Sequence, residues 1–141
     1  MIKIYTDGSC IGNPGTGGWA AVIINGKNEK VISGSKNNTT NNQMELLAAI
    51  KALSNFNKKK SLKIFTDSNY VKDGITKWIK NWEKNNWKTS AKKPVKNQEL
   101  WKKLDKLVKF HDVKWEWVKG HSTNIYNNLA DELARKAAEK N

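Results

Sequence analysis

Lys3-Ile4-Tyr5-Thr6-Asp7 and Lys63-Ile64-Phe65-Thr66-Asp67 are near copies of each other. Each alternates apolar and polar side chains, the period of a half-buried strand. Each ends in an aspartate followed by small residues, Gly8-Ser9 in one case and Ser68-Asn69 in the other. Between them Met44, Leu47, Ile50 and Leu53 recur at helical spacing. An intervening helix lets the two strands lie parallel through a right-handed crossover. In matched register, Asp7 and Asp67 face the same side at the carboxyl edge of the sheet, where α/β sheets commonly place ligands. Carboxylates on adjacent strands, about 4.8 Å apart, repel, so one takes a proton or a cation bridges them. Oxygen ligation with no thiolate available suits a hard cation such as Mg²⁺ or Mn²⁺. One Asp before Gly or Ser is ordinary turn chemistry; two on matching strand ends favour a site.

Outward from this pair, the glycine-rich stretch Gly8 to Gly18, with Pro14, predicts a loop or tight turn. Trp19 to Ile24 and Lys30 to Ser35 predict strands joined at Asn25-Gly26, a strong hairpin signal. Ile75, Trp78, Ile79 and Trp82 lie on one helical face, and the segment from Asn85 to Asn97, with Pro94, breaks that helix. Leu100 or Trp101, with Leu104, Leu107 and Val108, predicts another helix face, Val113, Trp115 and Trp117 a last strand, and Leu129 to Ala138 a terminal helix. The order βββαβααβα predicts one α/β or α+β domain over residues 1–141 with a mixed sheet.

Acids are scarce: the first 71 residues hold only Asp7, Glu29, Glu45 and Asp67. Glu45 lies near the start of the first helix, where Asn42 and Glu45 have capping-box spacing. Asp131 sits near the start of the terminal helix, with Glu132 as a competing candidate. A helix-start preference accounts for either position taken alone.

The 141 residues carry a net charge of +13, with 25 Lys and a single Arg as the basic residues. Residues 72–109 contribute +8 of it, alongside Trp78, Trp82, Trp87 and Trp101. This favours an anionic partner, nucleic acid before a membrane surface. Lys binds phosphate as a point charge and favours backbone contact over base reading. No apolar run approaches the roughly 20 residues of a membrane span. The opening MIKIYTDGS has no apolar signal core, and the lone Cys10 excludes an internal disulfide framework and a Cys-based zinc site. A cytoplasmic protein is expected.

Four motifs in this order resemble ribonuclease H of type 1. They are Thr6-Asp7-Gly8-Ser9-Cys10 with Gly12-Asn13-Pro14-Gly15, Asn41-Asn42-Gln43-Met44-Glu45-Leu46, Thr66-Asp67-Ser68-Asn69-Tyr70-Val71, and Trp117-Val118-Lys119-Gly120-His121 leading to Ala130-Asp131. The likeness runs from about residue 2 to residue 138. The stretch from about 78 to 101 is similar to the basic protrusion with which bacterial members grip hybrid duplexes.

The resemblance implies a ribonuclease H-like fold, a five-stranded mixed sheet flanked by helices. It implies endonucleolytic cleavage of the RNA strand of an RNA–DNA hybrid with two divalent metals, leaving 5′-phosphate and 3′-hydroxyl ends. Asp7, Glu45, Asp67 and Asp131 take the metal-binding roles, with Asp7 bridging, and His121 matches the histidine near the scissile phosphate. Cys10, Asn13, Asn41, Asn42 and Asn69 match positions that read the minor groove, and Thr40 with Asn41 matches a hold on a DNA-strand phosphate. Asn69 stands where Gln is common and reaches less far. Lys84, Lys88, Lys92, Lys93 and Lys96 are expected on phosphates. Of the tryptophans, Trp78 and Trp82 are expected chiefly to pack the protrusion helix, Trp78 being carried also as a substrate contact, and Trp87 is the better candidate for a sugar or base contact. A monomer is expected.

Two other readings share these features. One is a non-catalytic hybrid-binding module, against which the intact carboxylate set argues. The other is a two-metal nuclease of the same fold acting on DNA, which needs no 2′-hydroxyl reader.

Overall fold

The computed structural model describes residues 1–119 and 124–140. Strands β1 (Ile2–Ile11), β2 (Gly15–Asn25) and β3 (Asn28–Thr39) lead into helix α1 (Asn41–Ser54), then β4 (Ser61–Thr66). A helical run follows: α2 (Asn69–Asp73), a π-helical turn (Gly74–Trp78) and α3 (Ile79–Lys84). Helix α4 (Gln98–Phe110), strand β5 (Asp112–Trp117) and helix α5 (Ile125–Glu139) complete the order. The five strands form one sheet in the order β3-β2-β1-β4-β5. β1, β2 and β3 are antiparallel, while β1, β4 and β5 run parallel. This is the mixed, helix-flanked sheet expected of the ribonuclease H-like fold.

Strand alternation decides the two faces. Ile2, Ile4, Ala21, Ile23, Leu62 and Ile64 bury against Leu46, Ala49, Ile50 and Leu53 of α1 and Trp101 and Leu104 of α4. On the other face Tyr5 and Val22, with Phe65, meet Ala130, Tyr126 and Leu129 of α5. Helices thus cover both faces of the central strands, while the edge strand β3 is largely exposed.

Three sequence expectations need correction. The stretch from Gly8 to Gly18 is mostly strand: β1 continues past Asp7 to Ile11 and pairs with β2 from Gly15 onward, so that Ser9 faces Gly18 and Cys10 faces Gly17. The connecting turn is only Gly12-Asn13-Pro14. Several of these glycines serve close packing. A Cβ on Gly18 would collide with the Ala134 carbonyl oxygen of α5. Second, the helix predicted around Ile75 to Trp82 begins already at Asn69, where the Ser68 hydroxyl caps it by accepting from Val71 N–H. Its π turn forms where the Trp101 ring fills the space beside Gly74. Third, α5 starts at Ile125, because Asn124 Oδ1 accepts from Tyr126 N–H at 2.8 Å and Asn127 N–H at 3.2 Å.

His111, to which the sequence assigned no role, is a buried clasp. Its Nδ1 accepts from Lys60 N–H at 3.1 Å, which leaves Nε2 to donate to the Leu53 carbonyl at 3.2 Å. The ring joins the end of α1 to the chain entering β4. Among the described residues no helix is long and apolar enough to cross a membrane.

Candidate active site

The β1–β4 pairing runs in an unbroken register to Tyr5 opposite Phe65. Asp7 and Asp67 each lie two residues further on, at the carboxyl edge. Asp7 is held within β1 opposite Ala20, and Gly8 N–H donates to its Oδ1 at 2.9 Å. Asp67 follows the last residue of β4 and is exposed.

Glu45 comes from the helix above. Thr40, not Asn42, caps α1: its hydroxyl accepts from Gln43 N–H at 3.2 Å. Glu45 is therefore outside any capping box and lies in the second turn. Its flanks Met44 and Leu46 are buried, and it is itself only 6% exposed. Gly8 lets this turn come close, since a Cβ there would sit 2.5 Å from the Glu45 backbone nitrogen.

One carboxylate oxygen from each of Asp7, Glu45 and Asp67 lies within 4.8 Å of the others. Burial above all, with the Asp67 charge adding to it and a contact with Glu45 opposing it, pushes the Asp7 carboxyl up to about 7. Burial also holds Glu45 well above the usual carboxylate range, with the charge of Asp7 adding to it. Glu45 Oε2 is buried with no hydrogen-bond partner among the described residues. A buried acceptor left unmatched costs about 1–3 kcal/mol. An orphaned oxygen among crowded carboxylates fits a divalent cation, which would satisfy the oxygen and remove the repulsion together.

Asp131 projects from α5 into the same cleft, of about 550 Å³. Its neighbour Glu132 instead pairs with Lys136 at 2.9 Å. The helix turn thus separates the two candidates. Arg135, one turn beyond Asp131, also lines the cleft, with Nε 3.5 Å from Asp131 Oδ2. Sequence reading missed it, although the only arginine of the chain, four residues after a candidate ligand, was the available signal.

Asn41, Asn42 and Asn69 line the cleft and are exposed. Asn13 Oδ1 accepts from Asn41 N–H at 2.9 Å, and Cys10 Sγ donates to the Thr39 carbonyl at 3.3 Å. These two therefore hold the β1–β2 turn against the start of α1. Lys84, Lys88, Lys92, Lys93 and Lys96 are all exposed on the protrusion. Trp78 is half-buried between Tyr70 and Trp82. Trp87, expected to be the tryptophan freest for a base or sugar, is also half-buried, against Trp82 and beneath Lys102 Nζ. The left-handed backbone at Asn86 and Trp87 turns that ring inward. His121 lies outside the described residues.

Fold and site together define a ribonuclease H-like protein with an acidic, cation-compatible centre at the carboxyl edge of its sheet. The RNase H family pattern matches residues 1–139. A ribonuclease H of Parvibaculum lavamentivorans is 54% identical over 136 residues, covering 96% of this chain and 91% of its own length. That of Pseudoalteromonas atlantica is 57% identical over 137 residues, covering 97% and 90%. Among solved structures, LC9-RNase H1, a type 1 RNase H with the type 2 active-site motif, superposes with a TM-score of 0.88 at 29% identity, covering 99% of this chain and 72% of that one. LC11-RNase H1, solved in complex with an RNA/DNA hybrid, gives 0.76 at 25% identity, covering 99% and 98%. The chain belongs to the RNase H family.

Proposed function

We propose that this protein is an endonuclease that hydrolyses the RNA strand of RNA–DNA hybrids. Water oxygen attacks phosphorus, the bond from phosphorus to the 3′ oxygen breaks, and the ends left are a 5′-phosphate and a 3′-hydroxyl. The observation that carries this reading is the unpartnered, buried Glu45 Oε2 beside Asp7 and Asp67. Relatives named ribonuclease H, similar over almost the whole chain, support the substrate.

Asp7, Glu45, Asp67 and Asp131 would hold two Mg²⁺, or Mn²⁺ in their place. Bound there, the two ions supply an activated water and neutralise charge at the attacking and leaving oxygens. Asp7, which neighbours Glu45, Asp67 and Asp131, would take the central place among these ligands. Gly8 N–H holds its Oδ1 in place. Arg135 limits the negative charge that Asp131 brings to the cleft. His121 moves a proton or assists product release, as imidazole chemistry permits near neutral pH.

Asn41, Asn42 and Asn69 read 2′-hydroxyls and base edges in the shallow groove of the hybrid, with Cys10 and Asn13 shaping the same rim. Thr40 and the amides opening α1 hold a DNA-strand phosphate. The exposed lysines of the protrusion supply grip. The enzyme works as a cytoplasmic monomer. The deciding experiment is cleavage of a strand-labelled hybrid with and without Mg²⁺: RNA-strand cutting that needs the ion is expected. Comparable cutting of a matched DNA duplex, or none of the hybrid, overturns the reading.

A further inference from the structure

The loop of the protrusion leaves α3 after Lys84 and returns at Asn97, immediately before α4. This loop is internally braced. Thr89 N–H donates to the Lys93 carbonyl at 2.7 Å, Val95 N–H donates to the Trp87 carbonyl at 3.1 Å, and Lys88 bridges to Pro94. A braced loop moves as a unit, so its angle to the rest of the enzyme is set where it is anchored. The outgoing side is anchored by Trp82 against Trp101.

The returning side is anchored by a hydrogen-bonded chain. Thr39, buried at the end of β3, donates its hydroxyl to Gln43 Oε1 at 2.6 Å. That fixes the Gln43 amide so that Nε2 faces Asn97 and donates to its Oδ1 at 3.1 Å. Asn97 Nδ2 donates onward to the Tyr70 hydroxyl at 3.1 Å, and Trp101 Nε1 donates to the same oxygen at 3.0 Å. Asn97 is in the left-handed region, φ 60°, which asparagine tolerates better than most residues. Gln43 lies between Asn42, which lines the cleft, and Glu45 of the acidic cluster.

We propose that the Gln43–Asn97 hydrogen bond sets the orientation of the lysine-bearing protrusion relative to the cleft, making Gln43 and Asn97 positioning residues for duplex binding. The proposal rests on the hybrid as substrate. A duplex that lies across the cleft and reaches the protrusion must meet both at once. With the angle fixed beforehand, less conformational freedom is lost on binding. The Thr39 hydroxyl fixes the Gln43 amide, the amide fixes Asn97, and Asn97 fixes the returning foot of the loop.

The test measures hybrid affinity in EDTA, which needs no catalysis, for Gln43→Met and Asn97→Gly. Methionine keeps the length of Gln43 without its amide, and glycine keeps the left-handed backbone. Each should weaken binding about 3- to 10-fold, the scale on which losing the Gln43–Asn97 link counts. The double variant should lose no more than the worse single one. In a background where Lys88, Lys92 and Lys93 are neutralised, Gln43→Met should have a clearly smaller effect, since the lever then carries little charge to aim. With Mg²⁺, KM should rise in the same proportion while kcat stays within about twofold. An equal loss in both backgrounds, or full multiplication in the double variant, overturns the proposal. Wild-type protein that binds hybrid with this coupling but never cuts it would instead count against the catalytic reading.

Discussion

Gly8 of β1 and Glu45 of α1 are in backbone contact: a Cβ on Gly8 would lie 2.5 Å from Glu45 N and 2.6 Å from the Met44 carbonyl carbon. No flexible side chain is available there to give way. Gly8→Ala should therefore push α1 off the sheet at the point where Glu45 meets Asp7. Overpacking of this kind costs about 1–3 kcal/mol, a fall in Tm of roughly 3–10 °C at this size. Activity should fall further than stability, because the carboxylates separate. Thermal melts and hybrid cleavage on the same preparations check this, and a variant with wild-type turnover would show that the close approach does not set the site.

Asp7→Asn should abolish Mg²⁺-dependent cleavage and leave hybrid binding in EDTA intact or slightly tighter. The amide keeps the shape and removes a negative charge that repels the incoming phosphate. The exposed lysines, distant in sequence, are untouched. Turnover near normal would move the site elsewhere.

Asp7 and Glu45 also make stability depend on pH. Both carboxyls are held above their ordinary values by burial, Asp7 at about 7. The folded metal-free protein therefore binds protons that the unfolded chain has released. That stabilisation is complete below the ordinary carboxylate range and is lost as pH rises toward and through 7. In EDTA the Tm should be higher at pH 5.5 than at pH 8, and Asp7→Asn should flatten the difference. Mg²⁺ should raise Tm more at pH 8, because protons no longer compete for the oxygens. Melts in EDTA and Mg²⁺ at the two pH values read both effects, and a wild-type Tm in EDTA that falls between pH 5.5 and pH 8 no more than that of Asp7→Asn would contradict them.

The proposed grip of the protrusion lysines is a matter of phosphate charge. Replacing Lys88 and Lys93 by Gln and Lys92 by Asn should weaken binding and lower the slope of log affinity against log salt by about 0.9 for each phosphate no longer neutralised. Asparagine is chosen at 92 because that residue has φ 63°. The turnover rate at saturating hybrid should hold. An unchanged salt slope would take these lysines out of the interface.

What was legible in the sequence was whatever repeats locally. The twin strand ends fixed the relation of Asp7 to Asp67, and the structure carries that register to Tyr5 opposite Phe65. Helical spacing from Met44 to Leu53 located α1. The hidden features depend on distant partners. β1 runs on past Asp7 because Ser9 and Cys10 pair with Gly18 and Gly17 of β2, glycines that a local reading takes for a loop. The π turn at Gly74 depends on the ring of Trp101, and the inward turn of Trp87 on the backbone at Asn86 and Trp87. Likewise, nothing around His111 announces that its ring clasps Lys60 to Leu53.

Arg135 tests whether the cleft holds more than its carboxylates. Its pair with Asp131 is long, at 3.5 Å, and both side chains are more than half exposed, 57% and 51%. Exposed pairs of this kind contribute about 0–1 kcal/mol. Arg135→Gln should therefore leave Tm almost unchanged. Yet the guanidinium lines the cleft where a phosphate must enter among four acidic side chains. Its loss should lower kcat/KM roughly 10-fold, the scale of a hydrogen bond to a charged group. Arg135→Lys, which keeps the charge and loses the fork, should recover part of the loss. Melting curves separate the two roles from cleavage kinetics. A large fall in Tm would make Arg135 structural, and unchanged kinetics would make it a bystander at the cleft.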